Sequence, residues 1–179
     1  MAKKSKKKSC KAVCKYIPFL LLLLSVVVVL MGFLAGVKYV PENGDKITYT
    51  LFEVTFGKKL TGVDLGGILS GTSKINFSFL ALLGLFLPLV GGIVVLFVKG
   101  KIGGLVATLC FIASAVLLFL VPSITKITSE VSSGIIGGTT KSANTFKELG
   151  YSLGVGSILG GIVSCIGALI SLFHTATVK

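Results

Sequence analysis

The stretch Ile75–Val121, INFSFLALLGLFLPLVGGIVVLFVKGKIGGLVATLCFIASAVLLFLV, decides the fold. It holds two apolar runs, Ile75 to Val98 and Ile102 to Val121, parted only by Lys99, Gly100 and Lys101. Neither run carries a charged side chain. A helix needs about 20 consecutive apolar residues to cross a bilayer, so each run is a span, and the short basic turn makes the pair a tight antiparallel hairpin. Pro88, close to Gly84, Gly91 and Gly92, predicts a kink of the kind a membrane bundle tolerates.

Working outward, two more charge-free runs flank the hairpin, Tyr16 to Val37 before it and Leu149 to Phe173 after it. The first follows MAKKSKKKSCKAVCK, which holds seven lysines and no acid. Such a start resembles a secretory signal, but a signal's apolar region is about 7–15 residues long and ends at a small-x-small site. The run from Tyr16 is longer and lacks that site, so it is expected to stay as the first span. The fold class expected is an all-α membrane protein, a four-helix transmembrane bundle with a small β-containing exterior loop. Its parts are a basic tail (1–15), a membrane domain (16–173, spans 16–37, 75–98, 102–121 and 149–173) and a terminus at 174–179.

Lysine placement near span ends orients the chain. With the N-terminus inside, the cytoplasmic side holds the seven tail lysines, Lys99, Lys101 and Lys179 without an acid. The acids Glu42, Asp45, Glu53, Asp64, Glu130 and Glu148 then all fall in the exterior segments 38–74 and 122–148. A plasma membrane location with both termini cytoplasmic is the expectation.

The 179 residues are 53% hydrophobic with a formal net charge of +12, and the mean hydropathy is +0.98. That balance excludes a soluble domain, whose helices must keep a polar face. Nucleic-acid binding is excluded too, because the basic residues are all lysine and are scattered over termini and loops. Cys10 and Cys14 sit in the tail, Cys110 and Cys165 in apolar runs, and neither exterior segment has a cysteine for a disulfide. The tail pair supplies only two metal ligands with no His or acid beside it, so reduced thiols are expected, with acylation as the alternative.

In the first exterior segment Pro41 to Gly44 signals a turn, and Ile47, Tyr49 and Leu51 then alternate with Thr48 and Thr50. The phase slips afterwards to Phe52, Val54 and Phe56, as in a bulged strand or bent hairpin. Leu60 to Leu69 is a weak candidate partner. In the second, Ile124, Ile127 and Val131 stand at helical spacing, which predicts a short amphipathic helix and then a glycine hinge.

No catalytic constellation is legible: the only histidine is His174, and no paired carboxylates or nucleophile motif lie in a span. Neither an enzyme nor a cofactor or metal site is expected. Ser25, Ser78, Thr108, Ser114, Ser157, Ser164 and Ser171 put hydroxyls in the spans, where they serve helix contacts or line an oligomeric pore. Span four has the sharpest pattern, because Gly150, Gly154, Ser157, Gly161, Ser164, Ala168 and Ser171 recur every four and three residues along one helical face. Close approach of small residues holds membrane helices together, so this stripe is the expected packing seam.

The layout is that of tetraspan proteins, without the CCG motif of tetraspanin-like loops or the tryptophan motif and cysteine pair of claudin-like ones. More specifically, TLFEVTFGKKL (50–60) followed by KINFSFLALLGLFLPLVGGIVVLF (74–97) resembles small four-span membrane proteins of low-GC Gram-positive bacteria. That resemblance covers residues 47–98. It implies a bacterial cytoplasmic membrane and brings no activity or functional residue with it.

The function expected is noncatalytic: a scaffold, accessory subunit or surface interaction module, with an oligomeric pore or transport component as the alternative. Expected partners are anionic lipid headgroups at Lys3, Lys4, Lys6, Lys7, Lys8, Lys11 and Lys15, and other membrane proteins or a second copy. A lysine close to an anionic leaflet contributes about 1 kcal/mol. Replacing Lys3, Lys4, Lys6, Lys7 and Lys8 together by Gln is therefore expected to weaken binding to anionic vesicles or to loosen the chain's orientation. Unchanged vesicle binding together with unchanged topology would deny the tail both roles.

Overall fold

The computed structural model describes residues 2–41, 45–65, 69–98, 100–133 and 138–177, and the side chains of 16–41, 45–60, 72–98, 100–130 and 140–177. In chain order the elements are α1 (Ala2–Leu30), a 3-10 turn (Met31–Phe33), β1 (Ala35–Tyr39), β2 (Ile47–Thr50), α2 (Leu51–Phe56), β3 (Lys58–Leu65) and β4 (Leu69–Ile75). Then come α3 (Phe79–Phe97), α4 (Lys101–Phe119), α5 (Val121–Ile124), β5 (Lys126–Ser133), β6 (Gly138–Thr145), β7 (Ser152–Leu153) and α6 (Val155–Thr177). Four stretches are long and apolar enough to cross a membrane: Tyr16–Phe33, Phe79–Phe97, Lys101–Phe119 and Val155–Thr177. The chain is thus a mostly helical, multi-pass membrane protein that also carries two small antiparallel sheets.

It divides into two compact units. The first comprises Met1–Met31, Leu83–Leu118 and Leu159–Lys179, and the second Gly32–Leu82 and Phe119–Ile158.

In the first unit the apolar core is built from Ile17, Leu21, Val95, Ala107, Phe111 and Ala168, which draws on all four long helices. Glycines let these helices approach. A Cβ on Gly167 would lie 2.6 Å from the Phe111 ring, and one on Gly92 3.1 Å from the Leu22 Cα. Hydroxyls then bridge the close backbones. Ser114 Oγ donates to the Gly84 carbonyl at 2.6 Å and lies 3.3 Å from Ser164 Oγ, while Ser171 Oγ donates to the Gly104 carbonyl at 2.8 Å. The opposite faces carry exposed Leu105, Leu109, Ile112, Val116, Leu169 and Leu172, as lipid-facing positions should.

In the second unit, β1 is the centre of a three-stranded sheet of order β2-β1-β7. An aromatic cluster packs beside it: Tyr39 and Tyr151 are 5.2 Å apart, and Phe146 meets Tyr151 edge-on at 5.0 Å. Burial first, then the neighbouring phenols Tyr49 and Tyr39, pushes the Tyr151 hydroxyl up to about 12.

Several expectations need correction here. The phase slip after Thr50 is a strand giving way to a helix, because α2 starts at Leu51 with a capping box: Thr50 Oγ1 accepts from the Glu53 amide and Glu53 Oε2 from the Thr50 amide. Lys58, bonded to Glu53 at 2.6 Å, chiefly holds that carboxyl below its ordinary range. Ile127 and Val131 belong to strand β5 and only Ile124 is helical, in α5. Their three- and four-residue spacing spans too few turns to outweigh β-branched content and an available partner strand.

Residues 35–37, expected at the end of span one, belong instead to strand β1. Span four begins at Val155, since 149–154 are taken up by a turn and β7. Of the Pro41–Gly44 turn, residues beyond Pro41 lie outside the described ones, as do 134–137 of the glycine hinge.

On the stripe of span four, Gly154, Ser157, Gly161, Ser164, Ala168 and Ser171 are buried. Gly150 is not on it: it is exposed, precedes the helix and has φ +80°, the left-handed region that glycine enters without strain. Ile162 is 45% exposed. Overpacking a tight interior costs about 1–3 kcal/mol, so Gly161→Leu and Gly167→Leu are expected to lower the detergent melting temperature clearly, and Ile162→Leu to leave it nearly unchanged. Equal melting of the three variants would mean that the small face is no seam.

Candidate functional site

The second unit contains a four-stranded antiparallel sheet of order β3-β4-β5-β6. It is two hairpins from separate stretches of chain, joined where β4 pairs β5 from Leu69↔Ser133 through Ile75↔Ile127. Successive side chains of a strand alternate between faces, and residues opposite one another share a face. One face therefore carries Lys59, Thr72, Lys74, Thr128, Glu130 and Lys141, because Lys59 opposes Lys74, Lys74 opposes Thr128, Thr72 opposes Glu130 and Glu130 opposes Lys141. The other face takes Ser73 and Ser129, whose hydroxyls are 3.1 Å apart, and buried Ile75 and Ile127.

An open cavity of about 410 Å³ is lined by Lys59, Leu60, Thr72, Ser73, Lys74, Asn76, Thr128 and Glu130. Asn76 Nδ2 donates to Thr128 Oγ1 at 2.7 Å. That bond occupies a lone pair and leaves the Thr128 proton free to donate. Asn76 is thus tied to β5.

Five lysines lie in the four strands: Lys58, Lys59, Lys74, Lys126 and Lys141. Three have acids near them. Lys58 bonds Glu53 at 2.6 Å, Lys141 bonds Glu130 at 2.9 Å, and Lys126 helps lower the Glu148 carboxyl, which the Thr145 backbone and hydroxyl depress first. Among the described residues Lys59 and Lys74 have no ion-pair partner, both are exposed, and both line the cavity. The arrangement offers two ammonium groups and hydroxyl donors to an anion.

The residues expected from sequence stand elsewhere. On α6 Ser157, Gly161, Ser164, Ala168 and Ser171 are buried, and the side chains of Lys3, Lys4, Lys6, Lys7, Lys8, Lys11 and Lys15 lie outside the described residues. The hydroxyls of the spans are turned inward. Ser25, Thr108, Ser114, Ser157 and Ser171 each donate to a backbone carbonyl, Ser164 meets Ser114, and Ser78 accepts from the Ala81 amide. His174 is buried in α6 and Cys165 is exposed there, and among the described residues no three metal-ligating side chains gather. Lys59, Lys74 and Thr128 were not singled out from sequence because only the strand register brings them together. Comparison with known protein families, curated proteins and solved structures returns no match, so the resemblance at residues 47–98 identifies no family.

Like charges directly opposite on one sheet face destabilise it by roughly 0.2–1 kcal/mol. Lys74→Thr is therefore expected to stabilise the sheet by a few tenths of a kcal/mol at low salt, with the gain shrinking as salt screens the pair. Hydrogen exchange of the β4 amides measures it, and slower protection in the parent than in the variant would show that the lysines are not in conflict.

Proposed function

We propose that this chain is a noncatalytic cell-membrane protein that acts by contact, as a scaffold, accessory subunit or surface interaction module, with its four-stranded sheet on the exterior side. The observation that carries the reading is the β4–β5 pairing. Backbone bonds between residues 69–75 and 127–133 make one ordered platform from two segments that would otherwise be loose connections. Its hydroxyls and lysines face outward, and within the described residues its edge strands β3 and β6 each pair on one side only. Lysine placement supports the orientation, with the termini and the Lys99–Lys101 turn in the cytoplasm. The hydroxyls that an oligomeric pore would need are engaged in bonds within one copy, which favours contact over conduction.

Two measurements test this. A cysteine at exposed Ser142 is expected to react with an impermeant thiol reagent in intact cells, and one at Lys101 only after permeabilisation. A photo-crosslinking residue at Ser142 is expected to give a discrete adduct in cells, and the purified chain to be silent in planar bilayers. Labelling in the reverse order would overturn the orientation, and conductance abolished by Ser114→Leu would overturn the contact reading.

A further inference from the structure

Resting on the contact reading, we infer that the Lys59–Lys74 cavity of the four-stranded sheet binds the phosphate groups of a soluble, linear polyanion. The first argument is charge. Lys58, Lys126 and Lys141 lie near acids, whereas Lys59 and Lys74 stand opposite one another in the register with no acid bonded to either among the described residues. A sheet that places two ammonium groups side by side is destabilised until an anion lies between them. Among the described residues that line the cavity the one acid is Glu130, bonded to Lys141 at 2.9 Å, so its charge is already balanced.

The second argument is donor chemistry. Thr128 spends an acceptor site on Asn76 and keeps its proton for a ligand oxygen, and Thr72 adds a hydroxyl to the same wall. Ammonium and hydroxyl donors together satisfy several oxygens on one centre, as a phosphate presents them. The third argument is shape. The cavity is open, spans residues of β3, β4 and β5 and exceeds a single phosphate in size at about 410 Å³, so a chain can run through it.

The face selects against two other anionic surfaces. Among the described residues that line the cavity Leu60 is the one large apolar side chain, too little apolar surface to enter a bilayer interface. Among the same residues there is no aromatic ring on which a base would stack either.

The test uses the full chain in nanodiscs of phosphatidylcholine, with medium-chain inorganic polyphosphate as the probe. The double variant Lys59→Gln/Lys74→Gln is expected to bind about tenfold more weakly, with the salt slope reduced by about one for each lysine removed. Lys58→Gln, on a lysine already paired to Glu53, is expected to bind like the parent. Unchanged polyphosphate binding by the double variant, with an unchanged circular dichroism spectrum, would overturn the assignment. So would binding confined to phosphatidylglycerol vesicles, or tighter binding of single-stranded DNA than of polyphosphate. Failure to bind polyphosphate while the Ser142 adduct persists in cells would remove only the ligand class. Loss of that adduct would remove the contact reading itself.

Discussion

The bond from Ser114 Oγ to the Gly84 carbonyl, with Ser164 Oγ beside it, answers the constraint on which the first unit depends. Lipid tails are as apolar as leucine, so burying leucine between helices gains little, and helices associate by close packing and by polar contacts that the bilayer cannot supply. Close packing needs small residues, and a hydroxyl that reaches a neighbouring carbonyl needs the backbones already close. Glycine and serine in the same seam meet both needs. The Gly104 carbonyl accepts Ser171 Oγ from α6 and Thr108 Oγ1 from its own helix. Bulky side chains then serve elsewhere, with Phe111 filling the space that Gly167 leaves.

Sheet formation follows from the same chain path. The α3 and α4 helices have 19 residues each, a rise of about 28 Å apiece at 1.5 Å per residue, close to the hydrocarbon thickness. An antiparallel hairpin of equal arms returns the chain to the end it left. Ile75 and Ile127 meet as partners although two helices separate them in sequence. The hairpin lowers the loop-closure cost that a pairing so distant in sequence would otherwise carry. Where the strands end, T-x-x-E turns recur: Thr50 with Glu53, and Thr145 with Glu148, each followed by a glycine at positive φ, Gly57 and Gly150.

How much was legible in the sequence divides along the same line. Spans are read from uninterrupted apolarity, a property of each residue alone, and all four were placed, with ends displaced where apolar residues serve strands instead. Residues 35–37 and 149–154 read as membrane but fold as part of β1 and as a turn leading into β7. The capping box Thr50–Glu53 was written in the sequence as T-x-x-E and was overlooked because the alternation before it read as a strand continuing past it. Strand β5 was misread for a deeper reason. Eight residues fit a helical and a strand period almost equally well, and what decides between them is a partner at residues 69–75, far away in sequence. The candidate site was illegible for that reason too, since Lys59, Lys74 and Thr128 become neighbours only through register.

Serine and threonine occur in both units, and their surroundings give them opposite uses. Along the spans a Ser or Thr hydroxyl faces the alternative of lipid, where an unpaired polar group is costly, and the described ones bond a carbonyl, an amide or another hydroxyl. On the sheet the backbone groups are already paired by the ladder and water is the alternative, so a hydroxyl there loses little by waiting for a ligand. Lysine follows the same division, because ammonium groups are costly at membrane depth and here stand no deeper than a span end, as Lys101 does. Among the described residues, Lys59 and Lys74 are thus left without an ion-pair partner on the sheet while the span hydroxyls are spent on holding the chain together.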